Sequence, residues 1–316
     1  MDSIVPQKTS ARLVEITAAE HNQRLDNFLF KQLDRVPRTR IYRIIRKGEV
    51  RVNKKRCKPE YKLQTGDLVR IPPLRIEAGG TGRQALPAGL SKLIAEAILY
   101  ESEHILILDK PGGIAVHAGS GVDYGIIDLL RRQRPDDEIE LVHRLDRDTS
   151  GCLLLAKHRQ ALLAMQASLQ DKSLVKRYCA LVKGRWPENL QRIEHRLQKY
   201  RLPNGERRMR VDGNGKTALT RVHVLQAGEL FSRIQLELVT GRTHQIRIHC
   251  QAEGHEIAGD EKYGDREFNR LMRKRKIDRL MLHAASLELP ASDYTPEIVI
   301  NAPLPDEFNL STNLRD

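Results

Sequence analysis

Leu25, Phe28, Leu29 and Leu33 recur at three- and four-residue intervals, the spacing of a single helix face, and predict a helix beginning near Gln23. Pro37 breaks this pattern. Thr39 is a candidate cap for a second helix, whose Ile41, Ile44 and Ile45 form an apolar stripe that ends at Gly48. Val50 and Val52 then alternate with charged residues, 53–56 reads as a turn, and Thr65-Gly66-Asp67 precedes a strand that ends at Pro72-Pro73. Residues 1–20 are expected to be an N-terminal arm or first strand, and 21–73 a small basic α-α-β unit. Residues 74–92 hold four glycines and Pro87, so a linker is placed at 74–96.

From 97 to 316 the pattern changes. Ile105-Leu106-Ile107-Leu108 and Leu153-Leu154-Leu155-Ala156 read as strands, 160–170 as a helix, and Ile234, Leu236 and Leu238 alternate as in a half-buried strand. Strands and helices mix without a regular βαβ rhythm, which favours an α+β domain over a doubly wound one.

Charge sharpens the reading of the first unit. The chain carries a formal +13, and between Lys31 and Lys62 thirteen Lys and Arg stand against three Asp and Glu, a local net of +10 in a tenth of the length. A cationic edge so concentrated fits a phosphate backbone. The residues expected to contact RNA are Arg38, Arg40, Arg43, Arg46, Lys47, Arg51, Lys54, Lys55 and Arg56. No apolar run reaches the length of a membrane span, and no apolar signal region opens the chain. Cys57, Cys152, Cys179 and Cys250 are scattered without a CxxC pair, as in a cytoplasmic protein with reduced thiols.

Two segments carry candidate chemistry. In HRLDRDTSG at 143–151, the Thr-Ser-Gly turn signal places Arg144, Asp146 and Asp148 on a loop beside a buried strand. Arg144 and Asp146 are two residues apart, so an extended backbone points both the same way. In TGRTHQIRIH at 240–249, Thr243 is a candidate cap for a helix running to Glu253 with Gly254 as its stop, and Arg242 projects from the strand-to-helix junction. A buried carboxylate needs a neighbouring cation to stay ionised. His244 and His249 fall on different faces of that helix, and neither HExxH nor a phosphate-binding glycine fingerprint occurs; Gly119-Ser120-Gly121 does not make one.

These segments, with Lys110-Pro111-Gly112-Gly113, Val116-His117, the strand from Lys176-Arg177-Tyr178 to Val182 and Leu282-His283-Ala284, resemble the RluA-type pseudouridine synthases over about residues 21–305. The RLDNFL and KGEVRVNKKR stretches resemble the small RNA-binding domain named after ribosomal protein S4. The resemblance implies a catalytic domain with a mixed, largely antiparallel central sheet, isomerising uridines of large-subunit (23S) ribosomal RNA. It implies Asp146 as the essential carboxylate, Arg242 as its ion-pair partner, Tyr178 stacking on the base and Arg144 assisting base flipping. Lys110, His143, Leu145 and Leu282 would line the site. Asp146 would act either as nucleophile at ribose C1′ or as the base of an elimination; the sequence leaves both open. An isomerisation requires neither metal nor organic cofactor. The expected partner is large-subunit RNA or its assembly particle, met by a monomer without a membrane.

Two other readings compete. A non-catalytic RNA-binding or ribosome-assembly factor would not need Asp146, Tyr178 and Arg242 together. A glycoside hydrolase also works at an anomeric carbon but needs a second, positioned carboxylate, and none is identified.

Overall fold

Leu25, Phe28 and Leu29 lie on the buried side of a short helix, as their spacing requires. The structure, a computed structural model, describes residues 7–8, 10–33, 36–76, 88–118 and 124–309. The chain divides into two compact units, Met1–Leu86 and Pro87–Asp316.

The first unit runs β1 (Gln7–Lys8), β2 (Arg12–Glu15), α1 (Leu25–Gln32), α2 (Arg38–Lys47), β3 (Arg51–Val52), β4 (Leu68–Ile71) and β5 (Arg75–Ile76). Strand β4 lies between β2 and β3, both antiparallel to it, and β1 pairs with β5. Part of the expected arm is therefore a structural strand. Thr39 does not cap α2. Pro37 holds the cap position, its carbonyl accepting the amides of Arg40 and Ile41, because proline has no N–H to leave unpaired there. The helix stops at Gly48, whose φ of 72° lies in the left-handed region that glycine enters without strain. Ile41, Ile44 and Ile45 pack with Phe28, Leu29, Val52, Leu63 and Val69 in one core. Each buried side chain of this kind contributes roughly 1.5–3 kcal/mol. With the apolar stripe turned inward, Arg43, Arg46 and Lys47 are left exposed, as are Arg51, Lys54, Lys55 and Arg56 on the β3 turn. Arg40 is half-buried, and the side chain of Arg38 lies outside the described residues.

The expected linker at 74–96 is not one irregular stretch. Its start forms β5 and its end forms α3 (Ala88–Glu96), while residues 77–87 lie outside the described residues. The glycine signal hid the helical spacing of Leu90, Leu93 and Ile94. The second unit continues with β6 (Ile98–Glu101), β7 (Ile105–Lys110), α4 (Ile126–Gln133), β8 (Glu140–Leu141), β9 (Ser150–Ala156), α5 (Arg159–Gln170), β10 (Val175–Lys183), β11 (Arg192–Arg201), β12 (Arg207–Val211), β13 (Lys216–Gln226) and β14 (Phe231–Leu238). Then come α6 (Gln245–Ala252), α7 (Arg266–Lys274), β15 (Leu282–Leu289), β16 (Ile298–Asn301) and a 3-10 turn at Asp306–Asn309. Gly119-Ser120-Gly121 lies outside the described residues.

One mixed sheet runs in the order β12-β11-β13-β14-β10-β15-β9-β7-β6, with β16 on β15 and β8 on β9. Every pairing is antiparallel except β15 with β9. That exception positions the site. Gly151 has a φ of 101°, and a Cβ there would collide with the Ala284 backbone, so glycine lets the two parallel strands meet immediately after the 143–149 loop. All seven residues of β9 are buried, which explains why its apolar run shows no alternation. The ends of β14, β10, β15 and β9 thus converge at mid-sheet.

Candidate active site

A cavity of about 340 Å³ opens at this convergence. Its walls are the 143–149 loop, Lys176 and Tyr178 of β10, Leu238 at the end of β14, the 241–247 turn into α6, and Leu282 of β15. Arg144, Asp146, Tyr178, Arg242, His143, Leu145 and Leu282 are all brought together here. Arg144 is exposed at the wall while Leu145 is buried, as alternation along an extended loop requires.

Asp146 is not paired with Arg242. The Arg242 Nε donates to the Thr217 carbonyl at 3.2 Å, and its side chain is exposed. The partner is Arg247, whose Nη1 lies 3.2 Å from Asp146 Oδ2. The two arginines share one motif, but Arg242 precedes the helix and is turned toward β13, whereas Arg247 sits in the first turn of α6 with only 5% of its surface exposed. Arg247 also donates Nε and Nη2 to both oxygens of Asp260, each at 2.7 Å. Burial would depress the Arg247 pKa, but the bonds to Asp260 and the two carboxylate charges outweigh it and raise it. For Asp260, burial pushes upward and is outweighed by Arg247 and the amides of Tyr263 and Lys262, so its carboxyl is held below the usual range. The result is a permanent cation fixed between two carboxylates.

The cap of α6 is His244 at φ 52°, not Thr243. Its role in ending the loop is assisted by Gln245, whose Oε1 accepts from the Arg242 amide at 3.0 Å and the Thr240 hydroxyl at 2.7 Å. Gln245 Nε2 donates to β13 at Leu219 and Thr220, tying the turn to the sheet. His244 Nδ1 lies 2.7 Å from the Tyr263 hydroxyl, which also accepts the Met209 amide. The other ring nitrogen, Nε2, faces Asp146 Oδ1 at 3.8 Å.

Tyr178 is buried, and burial, reinforced by Asp146, pushes its phenol well above the usual range. It stays neutral at physiological pH. His143 Nε2 accepts the Leu154 amide at 3.1 Å, and burial lowers its pKa to about 3, so the ring is neutral and anchors the loop to β9. Lys110 does not line this cavity. It is fully buried behind the loop, its Nζ donating to the carbonyls of Pro111, Ile114 and Arg147 at 2.8–2.9 Å, and it borders a separate cavity of about 410 Å³. Asp148 is paired with Arg147 at 3.0 Å and is not among the residues lining the cavity. Among the described residues no three His, Cys, Asp or Glu gather as metal ligands, and no helix is long and apolar enough to cross a membrane.

Sequence reasoning missed Arg247, Asp260, His244, Gln245 and Tyr263. No local signal could have singled out Arg247, because six consecutive residues of α6, Gln245 to Cys250, are all buried.

A carboxylate clamped by a buried arginine, opposite a neutral tyrosine in a cleft open to solvent, is suited to nucleophilic or acid–base chemistry. The RNA pseudouridylate synthase family matches residues 104–252, and the S4 domain family matches residues 23–69. The chain belongs to the RNA pseudouridylate synthase family. Ribosomal large subunit pseudouridine synthase C of Escherichia coli O157:H7 is 49% identical to it over 302 residues, covering 94% of each chain. The protein of the same name from Pasteurella multocida is 45% identical over 95% of this chain and 92% of its own. Among solved structures, human RNA pseudouridylate synthase domain containing 1 superposes with a TM-score of 0.54 at 29% identity, over 66% of this chain and 82% of that one.

Proposed function

We propose that this protein converts specific uridines of large-subunit ribosomal RNA to pseudouridine, with Asp146 as the reacting carboxylate. The relatives named for that RNA support the substrate, and the Asp146–Arg247 contact at 3.2 Å carries the assignment of the residue. Arg247 holds the Asp146 carboxylate in place inside a partly buried cleft through a charge-assisted contact at 3.2 Å. The Asp146 carboxylate either attacks C1′ or takes a proton from C2′; both routes break the bond from C1′ to N1 and free the base to turn.

Tyr178 stacks against the extruded uracil, and its raised pKa keeps the phenol a hydrogen-bond donor rather than a base. Arg144, exposed beside Asp146, fills the space left in the RNA stack; extrusion costs a few kcal/mol that such a wedge partly offsets. The exposed cations of the first unit supply affinity for phosphates without choosing the base. The protein is read as a monomer acting in the cytoplasm on large-subunit RNA or on its assembly particle.

Mapping pseudouridines across large-subunit RNA from cells with and without this protein tests the proposal. Loss of particular modified positions, restored by the wild-type chain and not by an Asp146→Asn chain, is expected. An unchanged map would refute it.

A further inference from the structure

Strand alternation puts Lys176 and Tyr178 on one side of β10 and Arg177 on the other. Arg177 meets Glu288 and Glu237 on its side. Lys176 has no such counterpart. It lines the same cavity as Asp146, yet among the described residues its ammonium makes neither a hydrogen bond nor an ion pair. Its Nζ stands against the turn leading to α6, 3.7 Å from where a Cβ on Gly241 would lie. Burial holds the ammonium below the usual lysine range, with no carboxylate opposing the shift. A cation withdrawn from water and left without a protein partner is costly, and such groups mark places where a ligand supplies the missing acceptor.

We propose that Lys176 is a further catalytic residue, whose ammonium binds a carbonyl oxygen of the extruded uracil and stabilises the negative charge that the base carries once its bond to ribose breaks. The inference rests on the pseudouridine reading above. When the C1′–N1 bond breaks, its electron pair leaves with uracil on either route. In one, an Asp146 oxygen bonds to C1′ and leaves again as the free carboxylate when C5 attacks C1′; in the other, Asp146 takes the C2′ proton, which returns when C5 joins C1′. The base is meanwhile an anion delocalised over N1 and its carbonyl oxygens. Bond formation from C5 to C1′, loss of the C5 proton and protonation of N1 then give the neutral product. A fixed cation aimed at those oxygens acts only while the charge exists, which is where it accelerates the reaction.

The neighbours favour the base over a phosphate. Residues i and i+2 on a strand face are about 7 Å apart, so a uracil lying on Tyr178 brings its oxygens within reach of the lysine stem. Arg144 and Arg242 are exposed in the same cavity and are better placed for the backbone.

The test uses the full-length protein, a stem-loop RNA tritiated at uracil C5, and enzyme in excess, with RNA affinity measured separately. Lys176→Met is expected to slow single-turnover tritium release by about 10²-fold, with affinity changed by no more than roughly threefold, and Lys176→Arg should recover part of the rate. With 5-fluorouridine at the target, the base leaves as a more stable anion, so the gap between Lys176→Met and wild type should narrow when glycosidic bond cleavage is followed. A purely structural role would not respond to the leaving group. If Lys176→Met melts below wild type, Lys176→Gln and Lys176→Arg carry the same comparison. Three results would overturn the proposal: an unchanged single-turnover rate, a loss confined to affinity (the mark of a phosphate contact), or an equal gap for the two bases. A wild-type enzyme that releases no tritium would instead sink the functional reading beneath it.

Discussion

Arg247 Nη1 lies 3.2 Å from Asp146 Oδ2, while the other two edges of the same guanidinium reach both oxygens of Asp260 at 2.7 Å. Asp260 thus positions the cation that holds Asp146. Removing it leaves Arg247 buried with Asp146 as its one carboxylate partner.

Asp260→Ala is therefore expected to cost about 3–5 kcal/mol in urea unfolding, as breaking a buried pair does, and to lower single-turnover rate more than RNA affinity. Arg247→Lys keeps the charge but cannot serve both carboxylates, so its rate should fall at least about 100-fold. Arg242→Ala should fall less, since Arg242 does not contact Asp146. The sign with pH follows from the lowered Asp260 pKa: its stabilisation is present above about pH 4 and is lost as pH falls through the folded value. The wild type should lose stability on acidification below that point more steeply than Asp260→Asn. Equal acid slopes would contradict the clamp.

Lys110 acts through the backbone of the catalytic loop. Lys110→Met strands the carbonyls of Pro111, Ile114 and Arg147, and roughly 2–4 kcal/mol of stability should be lost. Because Arg147 follows Asp146 directly, activity should fall even at temperatures where the variant is folded. Thermal melting and single-turnover assays at 15–20 degrees below the variant's midpoint (about that margin suffices for a small domain) separate the two effects. A variant as stable as wild type would refute this role.

The cationic edge of the first unit should govern salt dependence. Replacing Arg43, Arg46, Lys54 and Lys55 by Gln removes charges that stand exposed on α2 and the β3 turn. Each lost phosphate contact should lower the log–log salt slope of RNA binding by about 0.7–0.9, with little change in rate at saturating RNA. An unchanged slope would place the RNA elsewhere.

Much of this was legible in the chain. The spacing of Leu25, Phe28, Leu29 and of Ile41, Ile44, Ile45 announced both helices of the first unit, because one apolar face per helix is what a small core demands. The 143–151 segment announced the loop carrying Asp146. What the chain could not show was the partner of that carboxylate. Arg242 and Arg247 are equally good candidates in one dimension; only the fold turns Arg242 to the Thr217 carbonyl of β13 and Arg247 to Asp146. Asp260, 114 positions beyond Asp146, is joined to it through that guanidinium. Helix α3 was masked by the glycines and proline ahead of it, which dominate a local reading.

The most direct test compares two carboxylates two residues apart. Asp146 faces Arg247 in the cavity, and Asp148 is turned to Arg147. Asn has nearly the shape of Asp but cannot act as a carboxylate nucleophile or base. In an assay of tritium release from RNA labelled at uracil C5, Asp146→Asn should show no turnover while binding RNA as wild type does, and Asp148→Asn should keep measurable activity. Near-normal tritium release by Asp146→Asn would contradict the assignment of Asp146 as the reacting group.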